Sequence, residues 1–406
     1  MHDPRVRFRL ADFRSIRPRH QGSQQEALAW LARAHTEAEA RLHAGDPAFN
    51  AEEIHGRMGK FLRRYGCSPE RIAHRASEIE DFMHFDWERM EIFRLREHAE
   101  GVGISVRSEF HARATERVFR SFYADEVEPP DDLIHVTCTG YVSPSAPQRL
   151  IEEKGWHERT RATHVYHMGC YAAFPALRVA AGFLSMPRPL AGGSPVAADL
   201  MPPRRRCDIV HTELCSLHFN PTVHTPEQFV VQSLFADGYI RYSLIADGLP
   251  ADAGDAAALT LLALREEMVP GTLDSMTWEL SQWGMRMTLA RDVPDRIAGA
   301  VREFFCGLYA QAGMSFDDEV ASSVFAIHPG GPKIIDRVQE ILRLADAQVA
   351  ASRAVLRECG NMSSATLPHV WMAILADAAV APGTPVAAIA FGPGLTVSGA
   401  LLRKEG

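Results

Sequence analysis

The chain lacks the signatures that announce most metal-, nucleotide- and disulfide-dependent proteins. Its 406 residues contain no CxxC pair, Walker-type phosphate loop, GxSxG elbow or EF-hand loop. Seven cysteines, an odd number without short regular spacing, fit a reducing compartment better than a disulfide framework. There is no run of eighteen apolar residues, and the opening stretch MHDPRVRFRLADF has charges where a signal peptide is apolar. A soluble, cytoplasmic protein is expected. The net charge of −8 comes from both signs spread along the chain, so a nucleic-acid footprint is not expected. What is present is apolar content: 46% hydrophobic residues suffice for one large core or two fused halves.

Arg5 to Ile16 alternates apolar residues (Val6, Phe8, Leu10) and reads as a strand. Ser23 stands where an N-cap would, before a stretch with apolar spacings of three and four. Further helices are expected at about 50–65 and 77–99. From 110 onward helices alternate with strands: helix 108–123, strand 133–138, helix 146–154, strand 162–168, an Ala/Leu-rich helix after Cys170, and strand 208–213. After about 245 the alternation recurs, with helices near 295–312, 333–352 and 364–376 and a strand at 385–391. Such a pattern predicts a layered α/β protein with mostly buried sheets. Residues 186–206, with five prolines and a final Arg204-Arg205-Arg206, read as a long loop.

Three short strings carry chemistry: His167-Met168-Gly169-Cys170, His328-Pro329-Gly330-Gly331-Pro332 and Gly360-Asn361-Met362-Ser363-Ser364. A thiol, an imidazole and a carboxamide, each beside glycine, suffice for acyl-thioester chemistry without a metal or redox cofactor. Cys170, at a strand-to-helix junction, is the candidate nucleophile, where unpaired helix amides favour a thiolate. His328 can withdraw its proton or pair with the thiolate, and both His328 and Asn361 can donate to a thioester oxygen that becomes an enolate. An asparagine at 361 is equally suited to capping the following helix.

With these strings in order, the chain resembles the type III polyketide synthases, the chalcone and stilbene synthase group. The resemblance runs from about residue 110 to the C-terminus and is looser before that. Its anchors are Met168-Gly169-Cys170 with Leu177-Arg178, Glu213, Leu234 to Gly238 (LFADG), Gly284 to Pro294 (GMRMTLARDVP), HPGGPKIID from His328, GNMSSAT from Gly360 and FGPGLTV from Phe391. It implies a thiolase fold, five layers αβαβα built from two similar halves, here residues 1–245 and 246–406, with extra N-terminal helices. It implies that Cys170 is acylated and that His328 and Asn361 hold a malonyl thioester and stabilise the enolate left by loss of CO2. Coenzyme A or carrier-protein thioesters are the implied substrates, without a bound cofactor, and the implied active unit is a homodimer in which the loop Thr139 to Ser145 reaches the neighbouring subunit.

The pocket is where the chain departs from the family it resembles. Phe235 matches one gating phenylalanine, while Met287 replaces the other. Positions lining the family's cavity fall at Cys138, Ser143, Cys215, His218, Trp278 and Ser363, and Gly392-Pro393 would complete an oxyanion site or shape the wall, with Ala390 where the family has glycine. Trp278 stands where glycine is frequent. Its ring would fill chain-lengthening space if it faces the cavity, and would not if it points into the core. Ala173 and Phe174 replace two further glycines. One or two condensations on a linear acyl starter are therefore expected. Ile72 to Arg75 resembles a stretch near the coenzyme A tunnel, or with Arg63 and Arg64 is a solvated basic face. Arg204 to Arg206 are a solvated tip or a docking point for an acidic acyl carrier protein. A metal site from His164, His167, His211, His218 and His224 is disfavoured, since strand spacing puts His164 and His167 on opposite faces. Rival functions are an acyltransferase or hydrolase without decarboxylation, a ketosynthase joining two preformed chains, and a silent partner subunit, which would have no need of all three reactive groups.

Overall fold

A computed structural model describes residues 7–186, 205–246 and 257–406. The alternating N-terminal stretch is strand β1 (Phe8–Ile16), and β2 (His20–Ser23) ends on the residue that caps helix α1 (Gln24–Leu42). Ser23 Oγ accepts the Glu26 amide at 3.2 Å while the Glu26 carboxylate accepts the Ser23 amide at 2.8 Å, a reciprocal capping box. Helix α2 (Ala51–Tyr65) starts on Asn50, and β3 (His74–Ser77) pairs with β2 as a small antiparallel ribbon.

The helix expected at 77–99 does not form. Beyond β3 there is only a 3-10 turn, Glu80–Met83. The Asp81 carboxylate accepts the backbone amides of Glu91, Ile92 and Phe93 at 2.8 to 2.9 Å, so amides that a helix would pair internally are bound to a side chain. Phe82, Trp87 and Phe93 gather around the Trp30 ring at centroid distances of 4.3 to 5.8 Å. Tertiary burial of four aromatic rings overrides the local helical period.

The chain continues through α3 (Ile104–Phe122), β4 (Asp132–Thr137), α4 (Ala146–Lys154), β5 (Arg161–Tyr166), α5 (Ala173–Leu184), β6 (Arg206–Leu214), α6 (Pro226–Leu234) and β7 (Asp237–Ala246). After β8 (Ala258–Met268) come the hairpin strands β9 (Met276–Leu280) and β10 (Met285–Leu289), then α7 (Val293–Gln311), the short α8 (Phe316–Glu319) and β11 (Val324–Ile327). Helices α9 (Pro332–Leu342), α10 (Asp346–Cys359) and α11 (Thr366–Ala376) precede β12 (Pro385–Gly392) and β13 (Thr396–Glu405). The single helix expected at 333–352 is thus two. Arg343 takes a left-handed φ of 55° and the Leu344 amide bonds back to Gln339 O at 2.9 Å, which turns Leu344 into the core.

Alternation along the strands explains the layering. In β12, Val386, Ala388 and Ala390 share a core with α5 and α11, while Ala387, Ile389 and Phe391 face α7, α9 and α10. In β6, Ile209 joins the α5/α11 core, and Val210 joins a core with α1 and α3. Three cores separated by two sheet regions make the five layers that the resemblance implies, with the apolar helices α5 and α11 in the middle. Two details differ from two stacked, equal sheets. Antiparallel pairing of Phe8 to Leu10 with Leu259 to Leu261 joins the two sheet regions, among the described residues, into one nine-stranded sheet, β11-β12-β13-β8-β1-β7-β6-β4-β5. The order β4-β6-β7-β1 recurs as β11-β12-β13-β8, but the counterpart of β5 shrinks to one parallel bridge, Phe235 with Asn361.

Of the Pro-rich connection read at 186–206, residues 187–204 lie outside the described residues, Arg204 included. Arg206 is not a docking tip: it opens β6 and pairs with Glu126 and Asp208, each at 3.2 Å. Among the described residues no helix is long and apolar enough to cross a membrane.

Candidate active site

β5 stops at Tyr166, and the chain turns through His167 (φ 62°) and Gly169 (φ 77°) into a 3-10 turn, Gly169–Tyr171, which carries Cys170 directly to α5. Only glycine fits at 169. The left-handed φ disfavours a side chain, and a Cβ there would lie 2.6 Å from Pro393 Cδ. Gly392 is also a close-approach glycine, since its Cβ would meet the Tyr171 ring at 2.2 Å. The FGPG string thus packs onto the nucleophile turn from the far end of β12. Pro393 lines the cavity; Gly392 does not, and stands behind it.

Asn361 reaches the same place from the other side. Its amide bonds Leu234 O at 2.9 Å and its carbonyl accepts Ala236 N at 2.8 Å. Its Oδ1 accepts from Ser363 N at 2.9 Å and Thr366 Oγ1 at 3.3 Å, so it does cap the turn into α11. That leaves the NH2 end for Cys170, whose sulfur is flanked by the Asn361 carboxamide and by Ser363 Oγ at 3.9 Å. Both capping and thiol contact are served by one side chain.

Burial pushes the Cys170 thiol up to about 12, against the pull of Ser363 and Asn361. Burial thus opposes the thiolate that helix amides favour. His328 follows β11, with its amide bonded to Ile389 O, and is 1% exposed. Burial alone drives its pKa down to about 3, so the imidazole is neutral, and neither ring nitrogen has a partner among the described residues. Buried, unpaired ring nitrogens are costly in a folded protein and mark a group held for a ligand.

Cys170 opens on a cavity of about 410 Å³, lined also by Cys138, Cys215, His218, Phe235, Trp278, Met287, Ser363 and Pro393. Neither His328 nor Asn361 lines it, and Asn361 joins the site through its hydrogen bond to Cys170. Trp278 faces the cavity and not the core: its Nε1 donates to Cys138 O at 2.8 Å, its ring meets His218 edge-on at 5.5 Å, and its cross-strand partner is Met287. Besides Gly392, two expected pocket residues lie elsewhere. Ser143 precedes a cis proline away from the cavity, and Phe174 packs in the core against Trp371. Glu213 sits beneath the site and accepts from Cys138 N, Thr139 Oγ1 and Ser364 Oγ at 3.0, 3.1 and 2.5 Å; desolvation raises its pKa to about 7.

The sequence reading missed a whole wall. Ala27, Trp30 and Leu31 of α1, Phe82 to Phe85, and Phe219 line the cavity, as do Met276 and Met285 of the hairpin. Met285 lies inside the recognised string Gly284 to Pro294 and Met276 stands two residues before Trp278; the N-terminal aromatics had no signal beyond apolar spacing.

Comparisons with known proteins bear on the fold and the family. Residues 260–405 match the family described as chalcone and stilbene synthases, C-terminal domain. Type III polyketide synthase A of Arabidopsis thaliana is 29% identical over 290 residues, covering 68% of this chain and 67% of that protein. The 1,3,6,8-tetrahydroxynaphthalene synthase of Streptomyces coelicolor is 28% identical, covering 66% of this chain and 64% of that one. A probable polyketide synthase of Dictyostelium discoideum is 29% identical over 67% of this chain, which spans only 8% of that much longer protein. The crystal structure of PKS-I from the brown alga Ectocarpus siliculosus superposes with a TM-score of 0.78 at 24% identity, covering 98% of both chains, and so shares the thiolase fold. Residues 260–405 thus match the chalcone and stilbene synthase family, and the relatives that the chain resembles along about two thirds of its length are type III polyketide synthases.

Proposed function

We propose that the chain is a condensing enzyme that carries an acyl group on Cys170 and extends it with a malonyl-type thioester. The observation that carries this is the cluster at the cavity end: a thiol flanked by Asn361 and Ser363, with an unpartnered buried imidazole at the neighbouring strand end. In loading, Cys170 attacks the starter thioester, its proton passes to His328, and the departing thiolate takes that proton. In extension, the malonyl carboxylate leaves as CO2 and its electron pair becomes the enolate, held by N–H donors of His328 and Asn361. The enolate carbon attacks the Cys170 thioester, forming the carbon–carbon bond and expelling the Cys170 thiolate. One proton is taken up per CO2 released. The test is intact mass after exposure to acyl thioesters, with CO2 release measured from the malonyl thioester. Condensation without CO2 would instead point to joining of two preformed chains.

The cavity wall supports a slim, linear starter and one or two extensions. Trp278, pinned by its indole N–H, occupies lengthening space, and the unbranched Met287 beside it adapts to a flexible chain. Trp278→Gly is expected to lengthen products or admit bulkier starters. Unchanged products, or tetraketides from the wild type, would defeat the small-cavity reading.

The active unit is proposed to be a homodimer. β5 is the sheet's edge strand, and the adjoining loop presents Tyr141 at 38% exposure, an apolar surface at an open strand edge. A monomeric mass in solution at full specific activity would refute it. Coenzyme A or an acyl carrier protein would deliver the thioesters.

A further inference from the structure

Arg75 lies in β3, in the stretch that was open to either a tunnel-side or a solvated reading, and it does something more specific. Its Nη1 donates to Gln232 O at 2.8 Å and to Phe235 O at 2.9 Å. These carbonyls belong to the last turn of α6 and the residue that ends it, where intrahelical partners run out. Phe235 is the residue bridged to Asn361, through bonds from Asn361 N to Leu234 O and from Ala236 N to Asn361 O. The aliphatic stem of Arg75 backs the same junction. Gly360, at a φ of 70° that disfavours a side chain, is also tightly backed, since a Cβ would lie 3.1 Å from both Arg75 Cγ and Leu234 O.

Arg75 lines the cavity, and the Asp237 carboxylate acts on its guanidinium electrostatically, but its two direct hydrogen bonds both go to backbone carbonyls. Its Nη1 thus holds the backbone oxygens at the gate. We propose that Arg75 is a positioning residue for the condensation: it clamps Phe235 and, through the Phe235–Asn361 bridge, sets the reach of the Asn361 carboxamide toward the reacting thioester without touching the reacting atoms. This rests on the decarboxylative reading above. Extension depends on Asn361 more than loading does, because the enolate oxygen must be met by a donor in place, and a displacement of about 1 Å can cost roughly 100-fold.

The test compares Arg75→Met and Arg75→Lys with the wild type in the full-length chain. Arg75→Met should slow malonyl-thioester decarboxylation roughly 10- to 100-fold while acylation of Cys170, read by intact mass, stays within about threefold. Arg75→Lys, whose ammonium reaches the same carbonyls, should recover most of the lost decarboxylation. Amide hydrogen exchange should quicken at Ala236 and Asn361 in Arg75→Met and remain at wild-type protection in β12. Equal losses in loading and decarboxylation, unaltered decarboxylation, or unaltered exchange at those two amides would each overturn the proposal. If Arg75→Met does not accumulate, Arg75→Lys carries the same test, with a selective loss of about three- to tenfold. A wild type that releases no CO2 would sink the decarboxylative reading instead, and the exchange comparison would still decide whether Arg75 clamps the bridge.

Discussion

Changing Cys170 to alanine is expected to abolish covalent loading and product formation together, a loss of at least about 10⁴-fold, as for removal of a nucleophile that acts within a unit. The cavity holds two other thiols, so the outcome is not trivial. Cys138 is engaged by the Gly169 amide at 2.9 Å, and burial raises the pKa of both Cys138 and Cys215 well above the ordinary thiol value. Cys170 has what they lack, a carboxamide and a hydroxyl that both favour its ionised form. It also sits on the turn that Pro393 closes, so the incoming carbonyl meets the sulfur at the wall of the cavity. Mass spectrometry after incubation with an acyl thioester decides the matter. An adduct that persists in Cys170→Ala would move the nucleophile to another cysteine.

Asn361→Ala should slow decarboxylation of the malonyl thioester by about 10²–10³, and acylation of Cys170 by much less. The carboxamide has two ends with separate duties. Its oxygen holds Ser363 N and Thr366 Oγ1, and its nitrogen faces the thiol. Asn361→Asp keeps the accepting oxygen and removes the donor, so it separates the two. If helix capping were the whole role, the aspartate variant would decarboxylate at the wild-type rate. Donation to the enolate predicts that both variants fail at that step, read in single-turnover assays of CO2 release and of loading.

Much of this site was legible because its chemistry is local in sequence. Gly169 beside Cys170, the HPGG turn after β11, and Gly360-Asn361 each declare a sharp turn that presents one side chain, and the structure places each at such a turn. The capping box at Ser23 was legible for the same reason. What the sequence hid was decided by distant partners. Residues 77–99 carry a helical period that Asp81 and the aromatic cluster around Trp30 override. Phe174 replaces a family glycine, yet which way its ring would point depended on Trp371, far along the chain. The upward pull of burial on the thiol was likewise invisible, since desolvation belongs to the closed cavity and not to the helix that follows.

The pairing of β1 with β8 and the contact of Cys170 with Ser363, 193 residues apart, bear on how the chain acquires reactivity during its synthesis. Long-range closures of this kind come late, because the chain between them must first be made and ordered. A nascent chain that has emerged past Cys170 carries the cysteine without the donors that would tune it. Until Gly360-Asn361 docks on Phe235 it is an ordinary thiol, exposed to the solvent and to the cell's oxidants. Chaperoning over that interval would guard the sulfur as much as the fold.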